Sequence, residues 1–365
     1  MNFEIDPRFK DHLRNLKQVF LYVTDECNLR CAQCLYKPDL TFHLKEKEIE
    51  LPKALALVSD FREMGALKLT IMGGEPTLYG NRLNHEPLTT LIAHAKTVGY
   101  EYVRMDTNGT FEPALLAKLG ELDEISFSLD GPTAEINDKL RGTGTFKKCV
   151  SNIRKAVALG YHVDITCCLH HGLLQRGTDG RVLLDSLVDF AASLGVRRVN
   201  FHDLFKTGAP RDTWTGDWDI PLQRWLDAYA QIQSNISAGL YRIPVRIPQS
   251  FVAKREFERN PSYYGYCPAK LGERALVHPN GVIRICSLLI GTPYGIGRFY
   301  DNKIVWDESS TNELRDHQIN IPTPCTNQDK NRSFGDFVPL CVSFKPKQDE
   351  LIWVQKLSWE GKGHN

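Results

Sequence analysis

Residues 20–39 read FLYVTDECNLRCAQCLYKPD and join a strand-like run to three closely spaced cysteines. Cys27, Cys31 and Cys34 stand at the spacing C-x3-C-x2-C, so one short loop carries all three thiols. Three thiolates from one loop can hold three irons of a cubane cluster and leave the fourth iron without a protein ligand. An open metal position is a place for chemistry, as it is in catalytic zinc sites. The loop therefore predicts a cluster with one exchangeable iron.

Two other interpretations of the cysteine loop stay open on its spacing alone. A C-x2-C pair in a protein of the cytosol can be half of a zinc site or a thioredoxin-like redox pair. Zinc would need a fourth Cys or His nearby, and His43 is the nearest histidine. Motifs elsewhere in the chain must therefore decide among the three interpretations.

Composition narrows the class of protein. Hydrophobic residues make up 42% and charged residues 24%, values typical of a soluble globular protein. The net charge of +1 and the mixed charges indicate neither a nucleic-acid nor a membrane partner. No apolar run approaches the ~20 residues that span a bilayer, and the N-terminus lacks a signal-peptide core. We therefore expect a cytoplasmic protein whose ten cysteines are metal ligands and buried thiols rather than disulfides.

Strand-like and helix-like segments alternate from residue 18 to about residue 236. This alternation predicts parallel strands joined by crossover helices, and six such units would leave a barrel open on one side. Active residues gather at the C-terminal ends of the strands in such barrels. The predicted strands are 19–24, 67–72, 102–106, 124–129, 163–169 and 196–201, and the predicted helices are 48–64, 112–119, 146–159, 182–194 and 222–236.

Polar motifs follow these strands. The second strand ends in Gly73, Gly74, Glu75 and Pro76, where the glycines allow close backbone approach and the proline stiffens the exit. Asn108 follows the third strand in the turn Thr-Asn-Gly. Each motif alone is a weak signal, but all fall where a barrel places its active residues.

The fourth and sixth strands also end in polar residues. Ser128 and Asp130 form the pattern S-x-D-G, Arg141 opens R-G-x-G-x-F, and His202 ends the sixth strand. The S-x-D-G pair has a second interpretation as a simple helix-capping turn. A guanidinium such as that of Arg141 matches a carboxylate with two parallel hydrogen bonds.

Together the cysteine loop, G-G-E-P and S-x-D-G resemble the radical S-adenosylmethionine (radical SAM) superfamily. The resemblance implies that the open iron of a [4Fe–4S] cluster binds S-adenosylmethionine, whose reductive cleavage gives a 5′-deoxyadenosyl radical. It also implies an external one-electron reductant such as flavodoxin or ferredoxin. By this resemblance the cofactor is bound by G-G-E-P, which takes the methionine amino group, by the S-x-D-G pair and by Arg141, with Asn108 and His202 nearby. One residue departs from the family pattern: Gln33 stands where an aromatic residue is usual.

The last third of the chain differs in composition, with more prolines, aromatic residues and glycines than the rest. Cys267 and Cys286 flank a predicted hairpin turn at 279–281, and Cys325 and Cys341 follow. This segment resembles the SPASM or twitch domains of the family, with fewer cysteines than full SPASM domains. The resemblance implies one auxiliary [4Fe–4S] cluster, although Cys325 or Cys341 could instead be a buried thiol.

The predicted fold class is thus α/β, a partial (β/α)6 TIM-like radical SAM barrel with a small α+β auxiliary-cluster domain. The expected boundaries are 1–17 for a lead, 18–240 for the barrel, 241–345 for the auxiliary domain and 346–365 for a tail.

Cys167 and Cys168 lie side by side in the fifth predicted strand and are expected to be small buried residues. Since adjacent strand residues point to opposite faces, one of the two should look into the barrel. A thiol in that position could donate a hydrogen atom to a substrate radical.

The expected function is hydrogen abstraction from a small natural product, such as an amino sugar, aminocyclitol or nucleoside, leading to oxidation or another modification. Peptide-modifying relatives often carry a leader-binding domain ahead of the barrel, and the lead here is shorter. The alternative is a maturase that cross-links or epimerises a ribosomally synthesised peptide. A non-catalytic metal-binding protein remains a third, weaker alternative, because such a protein would have no need for the other motifs.

Overall fold

The computed structural model describes residues 3–34, 36, 48–80, 85–178, 180–204, 220–260, 263, 269, 271–290, 295–308 and 335–340. Its strands are β1 (Glu4–Ile5), β2 (Gln18–Tyr22), β3 (Lys68–Met72), β4 (Tyr102–Thr107), β5 (Glu124–Ser128), β6 (Val163–Leu169), β7 (Arg198–Asp203), β8 (Val245–Arg246), β9 (Phe251–Ala253), β10 (Arg274–Val277), β11 (Val282–Arg284), β12 (Gly297–Tyr300), β13 (Lys303–Trp306) and β14 (Phe337–Pro339). Its helices are α1 (Pro7–His12), α2 (Leu51–Glu63), α3 (Glu86–Thr97), α4 (Ala134–Arg141), α5 (Thr145–Ala158), α6 (Leu183–Ser193), α7 (Leu222–Ser237) and α8 (Lys254–Arg259). Short 3-10 turns cover Pro76–Leu78, Pro113–Lys118, His171–Leu174 and Ser287–Leu289.

One large sheet organises the described chain, with the strand order β1-β13-β12-β11-β10-β2-β3-β4-β5-β6-β7-β8. Strands β10 and β2 to β8 pair in parallel throughout. The sheet ends at β1 and β8, which do not pair with each other among the described residues, so the barrel stays open. This confirms the predicted α/β class with a partial barrel.

Alternation along the strands gives the sheet two different faces. One face packs on the helices and is mostly apolar, so that its side chains and those of the helices form the buried core. The strand residues of that face include Leu21, Leu69, Val103, Ile125, Ile165 and Val199, each at most 1% exposed. The other face is polar and lines the inside of the barrel, which we call the lumen. The core thus holds the polar face in place.

The helices follow the predicted positions in most cases. Helices α2, α5, α6 and α7 lie within three residues of their predicted bounds. The predicted helix at 112–119 is instead the 3-10 turn Pro113–Lys118, and α1, α3, α4 and α8 were not predicted. No helix in the described part of the chain is both long and apolar enough to cross a membrane.

The late hairpin forms as predicted and extends the first sheet. His278 N donates to Val282 O at 3.0 Å, and Gly281 adopts φ +85° in the turn. Its first strand, β10, runs parallel to β2 with Leu276 opposite Phe20. The segment predicted as a separate auxiliary domain therefore supplies strands to the same sheet as the barrel, and the domain boundaries stay predictions.

Candidate functional site

The cysteine loop follows β2 directly and carries Cys27, Cys31 and Cys34 as free thiols. Cys27 is buried, and the other two are half-buried. Burial raises the pKa of Cys27 to about 12 and also raises that of Cys31. Buried thiolates need compensating positive charge, which a bound metal supplies while deprotonating the thiol.

These donors fit an iron–sulfur cluster by their type and number. Within the described ranges, no three Cys, His, Asp or Glu side chains are grouped closely enough to hold one metal ion. A cubane places its thiolate ligands on separate irons and so does not require three side chains to meet at one point. The loop therefore matches a cluster because it offers three thiol ligands, and not because their sulfur atoms meet at one point.

The glycines of G-G-E-P approach the cysteine loop itself. Gly74 N donates to Thr24 O at 2.7 Å, and Glu75 N donates to Glu26 O at 2.8 Å. A Cβ at Gly73 would lie 2.6 Å from Thr24 O, and one at Gly74 would lie 2.4 Å from Glu26 O. Only glycine permits this contact, so the pair fastens β3 to the cysteine loop.

Gly74→Ala is expected to displace the cysteine loop, because the new methyl group would meet backbone atoms that cannot rotate away. We expect iron bound after anaerobic reconstitution to fall by more than half in this variant. Gly120→Ala is the matched control, since nothing lies within 4 Å of its added Cβ, although its φ of +66° brings strain of its own. Equal iron content in both variants would show that the close approach does not hold the loop.

Glu75 is 1% exposed, and its carboxylate is hydrogen-bonded to neighbouring groups. It accepts hydrogen bonds from Thr77 N at 3.2 Å, from the hydroxyls of Thr77 and Thr107, each at 2.7 Å, and from Asn108 N at 2.7 Å. Burial raises the pKa of Glu75. Pro76 begins the 3-10 turn that brings Thr77 to the carboxylate. Glu75 thus ties the end of β3 to the end of β4.

Asn108 connects the end of β4 to the cysteine loop. Its Nδ2 donates to Asn28 Oδ1 at 2.9 Å, and its Oδ1 accepts from Thr110 N at 2.9 Å. Asn28 also donates to Thr110 Oγ1 at 2.9 Å. The three side chains form a closed ring of hydrogen bonds beside Cys27, and Asn28 was not singled out in the sequence.

Asp130 is completely buried, and three different elements contact its carboxylate, two through hydrogen bonds and one through an ion pair. Gln33 Nε2 lies 2.5 Å from Asp130 Oδ2, Arg141 Nε lies 2.6 Å from the same oxygen, and Cys168 N donates to Oδ1 at 2.7 Å. Burial opposes the charge of Arg141, but Asp130 outweighs burial and raises the pKa of the guanidinium. We call these four residues the Asp130 junction.

The two adjacent cysteines of β6 face opposite ways. Cys167 is fully buried in the core, with its Sγ 3.6 Å from Cys168 O. Cys168 is half-buried on the polar face of the strand, and burial followed by the charge of Asp130 raises its pKa. Of the two, only Cys168 is placed to face the lumen.

Ser128 and His202 also belong to the polar face. Ser128 is half-buried at the end of β5, opposite Thr166 of β6. His202 pairs with Cys168 in the register of β6 and β7. His202 has an exposed side chain, yet desolvation by the surrounding protein, together with the charge of Arg104, lowers the pKa of His202. The upper lumen thus joins a thiol, an imidazole and a hydroxyl.

Charged residues and one tyrosine fill the lower lumen, most of them in the N-terminal halves of the strands. We call them the barrel floor; its members are Lys68, Tyr102, Arg104, Asp106, Glu124, Asp164 and Arg198. Glu124 contacts Arg104 at 2.7 Å and Arg198 at 3.2 Å. Burial raises the pKa of Glu124, but the nearby cations outweigh burial and lower it to about 2. Three cations face three carboxylates, so the floor is neutral.

An aromatic group separates the cysteine loop from the late hairpin. The hydroxyls of Tyr22 and Tyr36 share a hydrogen bond of 3.1 Å. The ring of Tyr22 stacks on that of His278, with 4.3 Å between the ring centroids. Cys286 follows β11 and is buried. The other three predicted auxiliary ligands, Cys267, Cys325 and Cys341, lie outside the described residues.

Comparison with known proteins matches this architecture. Residues 21–182 match the family described as the radical SAM superfamily. A GTP 3′,8-cyclase of Lactiplantibacillus plantarum is 31% identical over 216 residues, 58% of this chain and 59% of that protein. The mycofactocin maturase MftC of Mycobacterium tuberculosis is 27% identical over 213 residues, 56% of this chain and 50% of the maturase. The chain therefore spans only part of the length of the curated relatives it matches.

A solved structure supports the fold. Streptococcus suis SuiB bound to its precursor peptide SuiA superimposes with a TM-score of 0.63 at 15% identity, covering 84% of this chain and 69% of SuiB.

Proposed function

We propose that the chain, whose residues 21–182 match the radical SAM superfamily, is a radical SAM enzyme that uses a [4Fe–4S] cluster and S-adenosylmethionine to abstract hydrogen from a bound substrate. When bound, these groups supply an electron to cleave S-adenosylmethionine and a 5′-deoxyadenosyl radical that takes the hydrogen. The observation that carries the proposal is the three-cysteine loop, fastened to the G-G-E-P turn by two backbone hydrogen bonds. The reductant would be a one-electron donor such as flavodoxin or ferredoxin.

Different residues around the loop would hold the cluster and S-adenosylmethionine. Cys27, Cys31 and Cys34 would bind the cluster. Nε of Arg141 forms an ion pair with Asp130 at 2.6 Å, and none of the described residues accepts a hydrogen bond from its Nη atoms. Those Nη atoms can take the carboxylate of S-adenosylmethionine. Ser128, which makes no side-chain hydrogen bond to a described residue, would add a hydroxyl at the same strand edge.

Glu75 and Asp130 would act indirectly in our proposal. Both carboxylates are buried and already receive several donors. A carboxylate whose acceptor positions are filled holds its neighbours in place rather than releasing them to a ligand. We therefore propose that the backbone of the G-G-E-P turn takes the methionine amino group, and that Asp130 sets the position of Arg141.

For the substrate we propose a peptide, which replaces the small natural product expected from the sequence. Similarity to mycofactocin maturase supports this class, and the open side of the barrel gives an extended chain a route to the lumen. The neutral barrel floor also suits an uncharged backbone better than a triphosphate, which would require unbalanced cations. A nucleotide is the second candidate, because the GTP 3′,8-cyclases match with similar identity.

Turnover with added GTP separates the two substrate classes. A peptide enzyme is expected to form 5′-deoxyadenosine at the same slow rate with and without GTP. Chromatography of the quenched reaction measures this rate. A GTP-dependent increase, with a cyclised nucleotide among the products, would establish the second candidate instead. Peptides encoded beside the gene supply the complementary set of substrates.

We also propose an auxiliary [4Fe–4S] cluster bound by Cys267, Cys286, Cys325 and Cys341. Two cubanes predict about eight irons per chain after reconstitution. The variant with Cys27, Cys31 and Cys34 all changed to Ala is then expected to keep about four irons. Iron analysis of the two proteins measures the difference. Loss of all iron in the triple variant would show that the late cysteines do not bind a cluster.

The substrate radical has two possible fates, oxidation by the auxiliary cluster or quenching by the thiol of Cys168. If the auxiliary cluster accepts an electron, the product has two hydrogens fewer than the substrate and needs no donor. If Cys168 quenches the radical, the product keeps its mass and gains hydrogen from the exchangeable thiol, and the thiyl radical left on Cys168 would regain the thiol with one electron from the external reductant and one proton from solvent. We expect oxidation, so turnover in deuterated water should place no deuterium on carbon, and Cys168→Ala should remain active. Deuterium on carbon that disappears with activity in Cys168→Ala would establish quenching, and Cys167→Ala is the matched control.

A further inference from the structure

Gln33 occupies a special position in the cysteine loop. It immediately precedes Cys34, at a position where the family resemblance implies an aromatic residue, and it is 7% exposed. Its Nε2 lies 2.5 Å from the buried carboxylate of Asp130, whereas its Oε1 is buried without a hydrogen-bond partner. An unsatisfied buried acceptor destabilises the folded protein. The hydrogen bond to Asp130 must therefore offset this destabilisation.

The contact joins three parts of the site. Through the Asp130 junction the cysteine loop reaches Arg141 at the end of α4 and Cys168 N on β6. A second link runs in parallel, since Ala32 N donates to Leu140 O at 2.8 Å. The loop is thus attached to α4 by one backbone and one side-chain connection, and both adjoin Arg141.

An aromatic residue could not make the same connection. Phenylalanine has no donor, and the only donor of tyrosine is a hydroxyl at the far end of a rigid ring. Asp130 would then keep Arg141 and Cys168 N but lose its link to the loop. The exchange of an aromatic residue for Gln33 therefore replaces a flat surface with a charge-assisted hydrogen bond.

We propose that Gln33 is a positioning residue that sets Arg141 against the cysteine loop through Asp130, and thereby sets the affinity for S-adenosylmethionine. This inference rests on the proposed function. It assigns to residue 33 a role in orienting the guanidinium, in place of contact with the cofactor by an aromatic ring. The hydrogen bond to Asp130 fixes the carboxylate, and the carboxylate fixes Nε of Arg141.

The test measures S-adenosylmethionine binding to the reduced, reconstituted protein from the change that the ligand causes in the electron paramagnetic resonance spectrum of the cluster. Gln33→Leu, which keeps the volume but removes the donor, is expected to weaken binding about tenfold. Gln33→Tyr is expected to be equally weak. Gln175→Leu is the matched control, because Gln175 is an exposed glutamine whose side chain, among the described residues, is hydrogen-bonded to His171 alone.

A charge-conserving exchange tests the link itself. Gln33→Glu places two carboxylates together and should weaken binding more than Gln33→Leu does, and Asp130→Asn should weaken it by removing the partner of Arg141. The double variant, Gln33→Glu with Asp130→Asn, again pairs one amide with one carboxylate. We expect it to bind S-adenosylmethionine at least about fivefold more tightly than the sum of the two single losses in binding free energy predicts. Additive effects would overturn the proposal.

Two further outcomes are decisive. Wild-type affinity in Gln33→Leu or Gln33→Tyr would overturn the positioning role and leave the proposed function intact. If Gln33→Leu lowers only the melting temperature of the apoprotein, with unchanged affinity in the reconstituted fraction, the residue is merely structural and the inference is wrong. A wild-type protein that assembles its cluster and binds no S-adenosylmethionine would instead refute the proposed function, and this inference with it.

Discussion

Single Cys27→Ala, Cys31→Ala and Cys34→Ala variants are each expected to abolish cleavage of S-adenosylmethionine. Each change removes one of three thiolates from a loop whose remaining ligands cannot hold a cluster with one open iron. The loop is fixed by Gly74 N and Glu75 N, so it cannot move to recruit another ligand without breaking those hydrogen bonds. We expect at least a thousandfold loss, limited by the detection of 5′-deoxyadenosine.

Cys149→Ala is the control for these variants. Cys149 is also buried, but its thiol only donates weakly to Ser128 O at 3.6 Å. Its loss should lower stability slightly and leave cleavage within about twofold of wild type, because a free buried cysteine behaves as a small hydrophobic residue. Cleavage that survives in any of the three loop variants would contradict the assignment of the ligands.

Glu124→Gln is expected to lower the free energy of unfolding by about 3–5 kcal/mol. Glu124 is 3% exposed and lies between Arg104 and Arg198, with Lys68 nearby. An amide of the same shape keeps the packing but leaves buried cations without their shared carboxylate. Urea unfolding of the apoprotein measures the loss, and Glu121→Gln, at an exposed glutamate, is the matched control. Equal stability of the two variants would show that the floor is not held by Glu124.

The same carboxylate predicts a pH dependence. Its pKa is lowered from 4.5 to about 2 in the folded protein, so folding favours the ionised form. The stabilisation is complete above about pH 4.5 and is lost as the pH falls toward 2. The stability difference between wild type and Glu124→Gln should therefore narrow over that range. A difference that is constant from pH 5 to pH 3 would contradict the ion-pair account.

Local patterns were enough to predict most of the barrel. Strand β6 was found at its predicted bounds because seven residues in a row, VDITCCL, are compatible with a strand buried on both sides. Helix α3 escaped prediction because its N-cap, His85, lies in the left-handed region and makes no side-chain cap. The pairing of β10 with β2 joins residues far apart in the chain, and no local pattern encodes such a contact.

The site was predictable by residue type more than by role. Glycines 73 and 74 were expected to bind the cofactor, which stays a prediction, and their close approach to the backbone of the cysteine loop was not foreseen. Asp130 was expected beside the cofactor, yet its acceptors are filled by protein donors that come from three separate segments. The barrel floor was missed, although charged residues recur at alternate positions in neighbouring strands. That period of two could have revealed an inward-facing charged layer.

Formation of 5′-deoxyadenosine by the reconstituted wild-type protein tests the central claim most directly. The protein, loaded anaerobically with iron and sulfide, is mixed with S-adenosylmethionine and a strong one-electron reductant, and the products are separated by chromatography. We predict 5′-deoxyadenosine and methionine in equal amounts, dependent on the reductant and absent in the Cys27/Cys31/Cys34 triple variant. A protein that holds its cluster in the reduced state and forms no 5′-deoxyadenosine would contradict the account.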